Sequence, residues 1–310
     1  MTPPTIRITD VAPRDGLQAE HAIIDTPTKS KLVTLVQETG VDEVEVSSFV
    51  SPKWVPQLSD AAHLFSTLAP AKPDNVLYSA LVPNEKGLDA ALTVNRSARQ
   101  DHGVERLIDK VSVFTSASEG FALKNTNATI EETLKRFAPL IPRAKEHRLR
   151  TRAYISCVVR CPFDGDVSPV QVADVASRLL ELGADEIDLG DTIGAATPDT
   201  IEAVILEVID RLDGRATNDF GDPTLTLHLH DTFGNAGACV ERALELGVRS
   251  FDSSAGGLGG CPYASKDGQR APGNIATSTL VHAIERAGIP HSIDIEQLNR
   301  ASTFAQGLIG

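Results

Sequence analysis

The stretch DEIDLGDTIGAATPDTIEAVILEVIDRL (185–212) contains the unit from which the fold of this chain can be predicted. Its first part, 185–192, is a short strand-like run, and its last part, 198–212, spaces apolar residues as one face of an α-helix does. A further strand-like run, TLTLHLHD, follows at 224–231. A strand, a helix and another strand in this order are typical of a parallel sheet whose strands are connected by helices.

The same alternation recurs along the whole chain. Eight strand-like runs rich in Val and Ile are predicted, at 5–12, 42–49, 75–82, 110–116, 150–158, 185–192, 224–231 and 249–257. Helical patterns lie between them, among them 26–40, 129–141, 169–183, 198–212 and 235–247. Eight repeats of strand and helix predict an α/β fold, a (β/α)8 TIM barrel. An open doubly wound sheet is disfavoured because no G-x-G-x-x-G follows the first strand.

The chain shows no change of composition that would mark a domain boundary, so we expect a single catalytic barrel domain over residues 1–310. Two polar stretches, 95–105 and 213–223, are predicted to be solvent loops. The last segment, 289–310, has room for one short helix and predicts a short C-terminal extension of the barrel.

The charge of the chain limits its partners. A formal net charge of −13 and a pI near 5.0 argue against a general nucleic-acid or anionic-membrane surface, because polyanion binding needs a basic field. An anionic ligand must therefore meet a local cluster of positive groups. The N-terminus has no basic and apolar leader, and no apolar run is long enough to cross a bilayer, which predicts a cytoplasmic protein.

The four cysteines, Cys157, Cys161, Cys239 and Cys261, do not resemble a disulfide framework in a chain of 310 residues. Cys157 and Cys161 form a C-x3-C without a second Cys or His pair at zinc-finger spacing, and we expect both to be structural. Cys239 lies on a predicted helix and is expected in the core.

Catalytic residues of a (β/α)8 barrel lie at the C-terminal ends of its strands. Polar residues at the ends of predicted strands, or in the loop after the eighth, are Arg14, Asp15, Glu45, Asp191, His228, His230, Asp231, Cys261 and Asn274. Because all of them fall at the same end of their strands, we expect them to share one face of the barrel.

His228 and His230 lie two residues apart on a strand, so their side chains point to the same face. They form a pair of metal ligands or a proton-handling pair, or they are histidines satisfied within the core or at the surface. With the carboxylate of Asp15 and the amide oxygen of Asn274, they make a mixed nitrogen and oxygen set. Such a set suits Mg²⁺, Mn²⁺ or Co²⁺ better than a closed zinc site does.

Four other side chains have a chemical use at this face. Glu45 and Asp191 are expected to orient ligands or handle protons, although ordinary strand-end acids would give the same pattern. Arg14 can stabilise an enolate oxygen or bind a carboxylate, or it forms a salt bridge with a neighbouring acid. Cys261, in a Gly-rich loop, can close over the barrel and protonate a carbanion, or it fills a turn as a small residue.

Several motifs resemble the hydroxymethylglutaryl-CoA lyase family. They are DVAPRDGLQ (10–18), EVSSFVSPKWVPQ (45–57), SVFTSASEGF (112–121), YISCV (154–158), DLGDTIG (188–194), HLHDTFGNA (228–236) and GGLGGCPYA (256–264). This resemblance implies a carbon–carbon lyase that cleaves 3-hydroxy-3-methylglutaryl-CoA, by a retro-Claisen reaction, to acetyl-CoA and acetoacetate. It also implies a divalent metal, Mg²⁺ or Mn²⁺, that binds the C3 hydroxyl and a carboxylate oxygen of the substrate.

Roles for individual residues follow from the same resemblance. Arg14 would stabilise the thioester enolate, and Cys261 would protonate its carbon. The base is left open between His228 and a water linked to Asp15.

The resemblance is weaker around the acyl-CoA entrance. The loop between Cys261 and Asn274 is longer than is usual in that family and adds Lys266 and Arg270. His21 replaces a common Lys. These three residues, together with Gln18 of the RDGLQ motif, are the expected contacts of CoA.

Three alternatives therefore remain open: a lyase for a related 3-hydroxy-3-methylacyl-CoA, a Claisen-type synthase for acetyl-CoA and a 2-oxo acid, and a non-catalytic CoA- or metal-binding barrel. The pathway, leucine degradation or another, is not fixed by the sequence. Barrels of this kind often dimerise, so a homodimer is an expected assembly.

Overall fold

Eight parallel strands close into a barrel in the computed structural model, which describes residues 6–212, 217–218, 220–260 and 272–309. The strands are β1 (Arg7–Asp10), β2 (Glu43–Ser48), β3 (Leu77–Leu81), β4 (Lys110–Ser116), β5 (Arg150–Ser156), β6 (Glu186–Asp191), β7 (Leu225–Leu229) and β8 (Ser250–Ser253). Each strand pairs with its neighbours in sequence order, and β8 pairs with β1 in a register that aligns Arg7 with Ser250. The predicted (β/α)8 barrel is confirmed, although several strands are shorter than predicted.

Ten α-helices occur in the described residues. They are α1 (Thr26–Gln37), α2 (Ala61–Leu68), α3 (Glu85–His102), α4 (Glu119–Thr126), α5 (Ile130–Glu146), α6 (Pro169–Glu181), α7 (Pro198–Arg211), α8 (Ala236–Glu245), α9 (Thr277–Arg286) and α10 (Ile295–Gln306). The five predicted helices correspond to α1, α5, α6, α7 and α8, and α10 is the short helix expected in the C-terminal extension. No helix among these is both long enough and apolar enough to cross a bilayer.

Helix starts follow local capping chemistry. Thr129 begins α5 with a capping box, in which its hydroxyl accepts from the N–H of Glu132 and the Glu132 carboxylate accepts from the N–H of Thr129. Ser168 and Thr197 begin α6 and α7 in the same way. These caps explain why the predicted starts of these helices agree closely with the structure.

The prediction of a loop at 95–105 was wrong, because α3 continues to His102. The helix begins at Asn84, whose side chain accepts from Gly87 N, and ends at Gly103 with a φ of 70°. Val94 and Ala98 are buried beneath an otherwise polar surface. An apolar stripe this narrow leaves a mostly polar sequence, so composition alone suggested a loop.

The second predicted loop, 213–223, is described only at 217–218 and 220–223, where Asp222 is buried and forms an ion pair with Arg150 at 3.3 Å.

The barrel interior is charged, whereas the apolar core lies between the strands and the helices. In β2, Val44 and Val46 belong to the hydrophobic core, while the alternate residues Glu43 and Glu45 are buried among polar groups. Lys110 Nζ lies 2.6 Å from a carboxylate oxygen of Glu43 and 2.6 Å from one of Glu186.

Arg152 occupies the centre of this interior. It lies 2.8 Å from a carboxylate oxygen of Glu186 and donates a hydrogen bond of 2.9 Å to Asp252. A buried ion pair is costly to break from one side, because the remaining charge has lost its partner. The interior is therefore a fixed scaffold beneath the C-terminal mouth of the barrel.

The C-terminal extension packs next to the mouth. α10 packs against α1 and against the short turn Ala255–Gly257 that follows β8. The hydroxyl of Ser302 accepts from Gly256 N at 3.2 Å, and Gln306 Nε2 donates to Gly256 O at 3.3 Å. The last helix thus holds the start of the Gly-rich loop.

Candidate metal centre and active site

Arg14 and Asp15 lie on a π-helical turn, Ala12–Gly16, that follows β1 directly. Arg14 is buried, and its Nε donates to Glu45 Oε2 at 2.5 Å while its Nη1 donates to Asp15 Oδ1 at 2.6 Å. Burial alone would lower the pKa of Arg14, but the charges of Glu45 and Asp15 outweigh it and raise that pKa. Arg14 therefore remains a cation, fixed between two carboxylates.

Glu45 is completely buried, and burial raises its pKa against the lowering effect of the Arg14 charge. Its Oε2 is occupied by Arg14, whereas its Oε1 has no hydrogen-bond partner among the described residues. The carboxylate thus orients the guanidinium and keeps one oxygen free inside the barrel mouth.

The two histidines lie beside Asp15 at the end of β7. The ring centroids of His228 and His230 are 5.5 Å apart, and His228 Nε2 lies 4.0 Å from Asp15 Oδ2. Asp15, His228 and His230 each offer a ligand atom, and these three atoms lie within 4.8 Å of one another. The structure therefore brings three of the four predicted metal ligands together.

Asn274 completes the predicted set. Its Nδ2 donates to Asp15 Oδ2 at 2.9 Å and to Leu258 O at 3.0 Å, and its backbone forms a β-bridge with His230. The approach of the loop is close: a Cβ at Gly259, where φ is +103°, would lie 2.4 Å from Asn274 Nδ2. Only Gly fits this backbone position, since both the conformation and the space exclude a side chain.

The protonation states suit a divalent cation. Burial raises the pKa of Asp15, but the charges of Arg14, His228 and His230 lower it to about 2. Burial and the charge of His228 lower the pKa of His230 to about 4. Asp15 is thus ionised and His230 neutral near pH 7, and the buried His230 Nδ1 has no hydrogen-bond partner among the described residues. An unpartnered imidazole nitrogen beside an ionised carboxylate fits a metal ligand set.

Asp252 was not predicted from the sequence, yet it orients His228. Its Oδ2 lies 3.1 Å from His228 Nδ1, and Arg152 and the Tyr154 hydroxyl donate to the same carboxylate at 2.9 and 3.2 Å. Burial by itself lowers the pKa of His228, but the hydrogen bond and charge of Asp252 raise it. A ring that donates from Nδ1 to a carboxylate presents Nε2 as the ligand atom.

Tyr154 is a second residue that the sequence analysis missed. Its ring meets His228 edge to face, with centroids 5.9 Å apart and an interplanar angle of 87°. The guanidinium carbon of Arg14 lies 5.5 Å from the same ring. The tyrosine thus contacts both His228 and Arg14 with its ring while its hydroxyl bonds Asp252. The available signal was the spacing along β5, where Arg152 and Tyr154 lie two residues apart and so share the inward side of the strand.

Asp191 has a different environment from Asp15. Its Oδ1 accepts from Ala195 N at 3.0 Å and its Oδ2 from Ala196 N at 2.8 Å. Burial raises the pKa of Asp191 to about 6, and these two bonds limit the rise. Asp191 therefore fixes the loop after β6, and its oxygens contact none of the four predicted ligands within hydrogen-bond distance in the described structure.

The predicted CoA contacts are only partly described. Gln18 and His21 are exposed on the segment after the first turn, and neither side chain forms a hydrogen bond with another described residue. Cys261, Lys266 and Arg270 lie outside the described residues. The other three cysteines, Cys157, Cys161 and Cys239, are buried, as predicted for structural residues. Burial raises the pKa of Cys239 to about 12, which keeps that thiol protonated near neutrality.

The closed barrel and the cluster of nitrogen and oxygen ligands at its C-terminal mouth define a (β/α)8 barrel protein with a candidate divalent-metal centre. The family HMGL-like matches residues 5–305 of the chain. The chain therefore belongs to the HMGL-like family.

Known proteins resemble the chain over nearly its whole length. It is 39% identical over 302 residues to hydroxymethylglutaryl-CoA lyase, mitochondrial, of Macaca fascicularis, covering 97% of this chain and 85% of that protein. It is 42% identical over 313 residues to the 3-hydroxy-3-isohexenylglutaryl-CoA/hydroxy-methylglutaryl-CoA lyase of Pseudomonas aeruginosa, covering 99% of this chain and 94% of that protein. The crystal structure of the HMG-CoA lyase from Brucella melitensis matches with a TM-score of 0.87 at 40% identity, covering 98% of each chain.

Proposed function

We propose that this protein is a divalent-metal-dependent carbon–carbon lyase that cleaves 3-hydroxy-3-methylglutaryl-CoA to acetyl-CoA and acetoacetate. The observation that carries the proposal is the arrangement of Arg14 and Asp15 beside His228, His230 and Asn274 at the barrel mouth. This arrangement places a fixed cation next to a ligand set for a divalent ion. Membership of the HMGL-like family and the names of its similar relatives support the same reaction.

The metal centre in this proposal consists of Asp15, His228, His230 and Asn274, holding Mg²⁺ or Mn²⁺. When bound, such an ion supplies Lewis acidity that lowers the pKa of the substrate's C3 hydroxyl. Asp191 would act from a distance by fixing the loop after β6.

Arg14 stabilises the charge that the reaction develops. Loss of the C3 hydroxyl proton turns C3 into a carbonyl, and the electron pair of the C2–C3 bond moves into the thioester to form an enolate. The guanidinium of Arg14, oriented by Glu45 at 2.5 Å, donates to the enolate oxygen. A proton delivered to C2 then gives acetyl-CoA, and the other product is acetoacetate. Cys261 in the loop after β8 is the proposed donor of that proton.

The environment of His228 favours water as the general base. Its Nδ1 is bonded to Asp252, and its Nε2 is the proposed ligand atom, so neither nitrogen remains to accept the hydroxyl proton. A water held by the ionised Asp15 carboxylate then accepts that proton and passes it on to bulk water. Of the two bases that the sequence left open, we propose the Asp15-linked water.

The remaining assignments complete the proposal. Gln18, His21, Lys266 and Arg270 would contact CoA, with the two cations of the loop meeting its phosphates. Residues 1–310 would form one catalytic domain in the cytoplasm, assembled as a homodimer, without nucleic-acid or membrane partners. The pairing of β1 with β8, which joins the first and last strands of the barrel, supports a single domain.

The test is cleavage of 3-hydroxy-3-methylglutaryl-CoA by the purified protein with Mg²⁺, with Mn²⁺ and with EDTA, following acetoacetate directly. We expect acetoacetate with either metal and none with EDTA. Product formation that EDTA leaves unchanged would reject the metal centre. No product with either metal, from folded protein that binds Mn²⁺, would reject this substrate.

A larger acyl group is a second candidate, favoured by one observation. The Pseudomonas aeruginosa relative, 42% identical, is named for 3-hydroxy-3-isohexenylglutaryl-CoA as well as the methyl compound. A comparison of kcat/KM for the two thioesters decides between them. A higher value for the isohexenyl compound would make it the preferred substrate, and cleavage of the methyl compound alone would remove this candidate.

A further inference from the structure

Asp10, the last residue of β1, is a buried carboxylate that the proposed reaction does not use. Its side chain is only 1% exposed, and it is not one of the four proposed ligands. A buried carboxylate needs donors, and the identity of these donors shows what it holds together.

Three segments donate to Asp10. Its Oδ1 accepts from Ala12 N at 2.9 Å, and its Oδ2 accepts from the Thr277 hydroxyl at 2.9 Å. The backbone N–H of Ala255 also donates to it. Ala12 begins the turn that carries Arg14 and Asp15, Ala255 begins the loop after β8, and Thr277 follows Asn274 by three residues.

The same segments are joined a second time nearer the mouth, where Asn274 Nδ2 donates to Asp15 Oδ2 at 2.9 Å. Asp10 with Thr277 and Asp15 with Asn274 thus form two links between the same two pieces of chain. Ser253 supports the lower link, because its hydroxyl lies 3.0 Å from the Thr277 hydroxyl. Backbone hydrogen bonds such as Thr277 N to Ser254 O also hold these segments, but without the lower link Asp15–Asn274 would be the one direct side-chain bond between the two pieces among the described residues.

We propose that Asp10 is a positioning residue, which holds the Asp15 turn and the Asn274 segment at the spacing that a divalent ion requires. This proposal rests on the proposed metal centre. Asp10 touches neither the substrate nor the ion and acts only through the two segments. Residues that orient metal ligands from outside the ligand shell typically change metal affinity by about ten- to a hundredfold when replaced.

Two substitutions test the link from both sides. Asp10→Asn keeps the side-chain volume but replaces one acceptor oxygen with an NH₂ donor, and Thr277→Val removes the hydroxyl while keeping the branched shape. We expect each to weaken Mn²⁺ binding to metal-free protein, measured by titration calorimetry, by about tenfold or more. With Mn²⁺ saturating, kcat should recover partly and KM for the thioester should change little. Thr277→Ser, which keeps the hydroxyl, should bind Mn²⁺ like the wild type.

A matched control separates positioning from stability. Thr133 is equally buried, and its hydroxyl bonds Thr115 and Ile130 O at 2.7 Å, away from the mouth. Thr133→Val should lower the urea midpoint of unfolding without changing Mn²⁺ affinity. Equal Mn²⁺ affinity in Asp10→Asn, Thr277→Val and the wild type would overturn the positioning role.

The outcomes also separate this proposal from the proposed function. Wild-type protein that binds no Mn²⁺ would reject the metal centre and the positioning role together. Wild-type protein that binds Mn²⁺, with Asp10→Asn binding it equally well, would reject only the role of Asp10. If Asp10→Asn does not fold, the comparison of Thr277→Val with Thr277→Ser still decides the question.

Discussion

The loops after β1 and β6 each place a buried or half-buried aspartate at the mouth of the barrel, and the two have opposite environments. Asp191, after β6, has both oxygens occupied by N–H groups of its own loop. Among the described residues, Asp15, after β1, bonds only the side chains of Arg14 and Asn274, and it lies 4.0 Å from His228 Nε2. A strand-end carboxylate is therefore available to a metal ion where its own backbone leaves its oxygens to other side chains.

The largest effect is expected from removal of the Asp15 carboxylate. Asp15→Ala should abolish Mn²⁺ binding and acetoacetate formation together, because the substitution removes the anionic ligand. Calorimetry on metal-free protein and the acetoacetate assay check both. Asp191→Ala is the comparison, and it should retain measurable Mn²⁺ binding. Equal loss in the two variants would erase the distinction between the two loops.

Arg14→Lys should have the next largest effect. A lysine keeps the charge but cannot bond Glu45 and the enolate oxygen with a planar pair of donors, so kcat should fall by about a hundredfold with little change in KM. Steady-state kinetics under saturating Mn²⁺ measure both constants. Arg178→Lys, at an exposed ion pair with Glu131, is the matched control and should leave them unchanged. A change confined to KM would contradict the assigned role.

The two aspartates should give opposite pH dependences of stability in metal-free protein. The folded pKa of Asp191 is raised from 3.8 to about 6, so its protonated form is favoured on folding. The contribution of Asp191 to the free energy of unfolding is fully present below pH 3.8 and is lost as the pH rises through 6. Relative to Asp191→Asn, the wild type should therefore lose about 3 kcal/mol of unfolding free energy between about pH 4 and pH 6.

The folded pKa of Asp15 is lowered to about 2, so its contribution is present above pH 3.8 and lost as the pH falls towards 2. Urea unfolding of the wild type, Asp15→Asn and Asp191→Asn across this range measures both effects. Parallel curves for the three proteins would show that neither carboxyl group titrates differently in the folded chain.

The smallest effect is expected at the exposed CoA contacts. His21→Ala should raise KM for the thioester within about fivefold and leave kcat and the urea midpoint unchanged, because an exposed contact contributes about 1 kcal/mol or less. His63→Ala, on α2, is a control of the same residue type. A fall in kcat with unchanged KM would place His21 in the chemistry instead.

Sequence patterns were sufficient for the strands and for the side of the barrel on which the ligands meet. Asp15, His228 and His230 lie at strand ends, and the rule that barrel sites form there brought them together correctly. The role of Asp252 was not predicted, because its alignment with His228 depends on the register between β7 and β8, which no local pattern encodes. The contact of Tyr154 with His228 was not predicted for a related reason, since it crosses the barrel interior. The C-terminal half of α3 was not predicted because only two small residues, Val94 and Ala98, are buried there.

The hydrogen bonds from Ala195 N and Ala196 N to the two oxygens of Asp191 could also not be predicted from the sequence. It depends on the path of the loop after β6, which returns two N–H groups to the strand end. A strand-end carboxylate in the sequence therefore indicates a candidate metal ligand, and the path of the following backbone decides whether its oxygens are free to bind an ion.

The bond between Asp15 and Asn274 joins residues 259 positions apart, and β8 must pair with β1 to bring them together. During synthesis at about 5–20 residues per second, roughly 13–52 s separate the appearance of the two residues. Until residue 274 is made, a nascent chain carries Asp15, and later His228 and His230, without the proposed fourth ligand. Capture of an ion by the proposed site would therefore follow the synthesis of Asn274 and the pairing of β8 with β1.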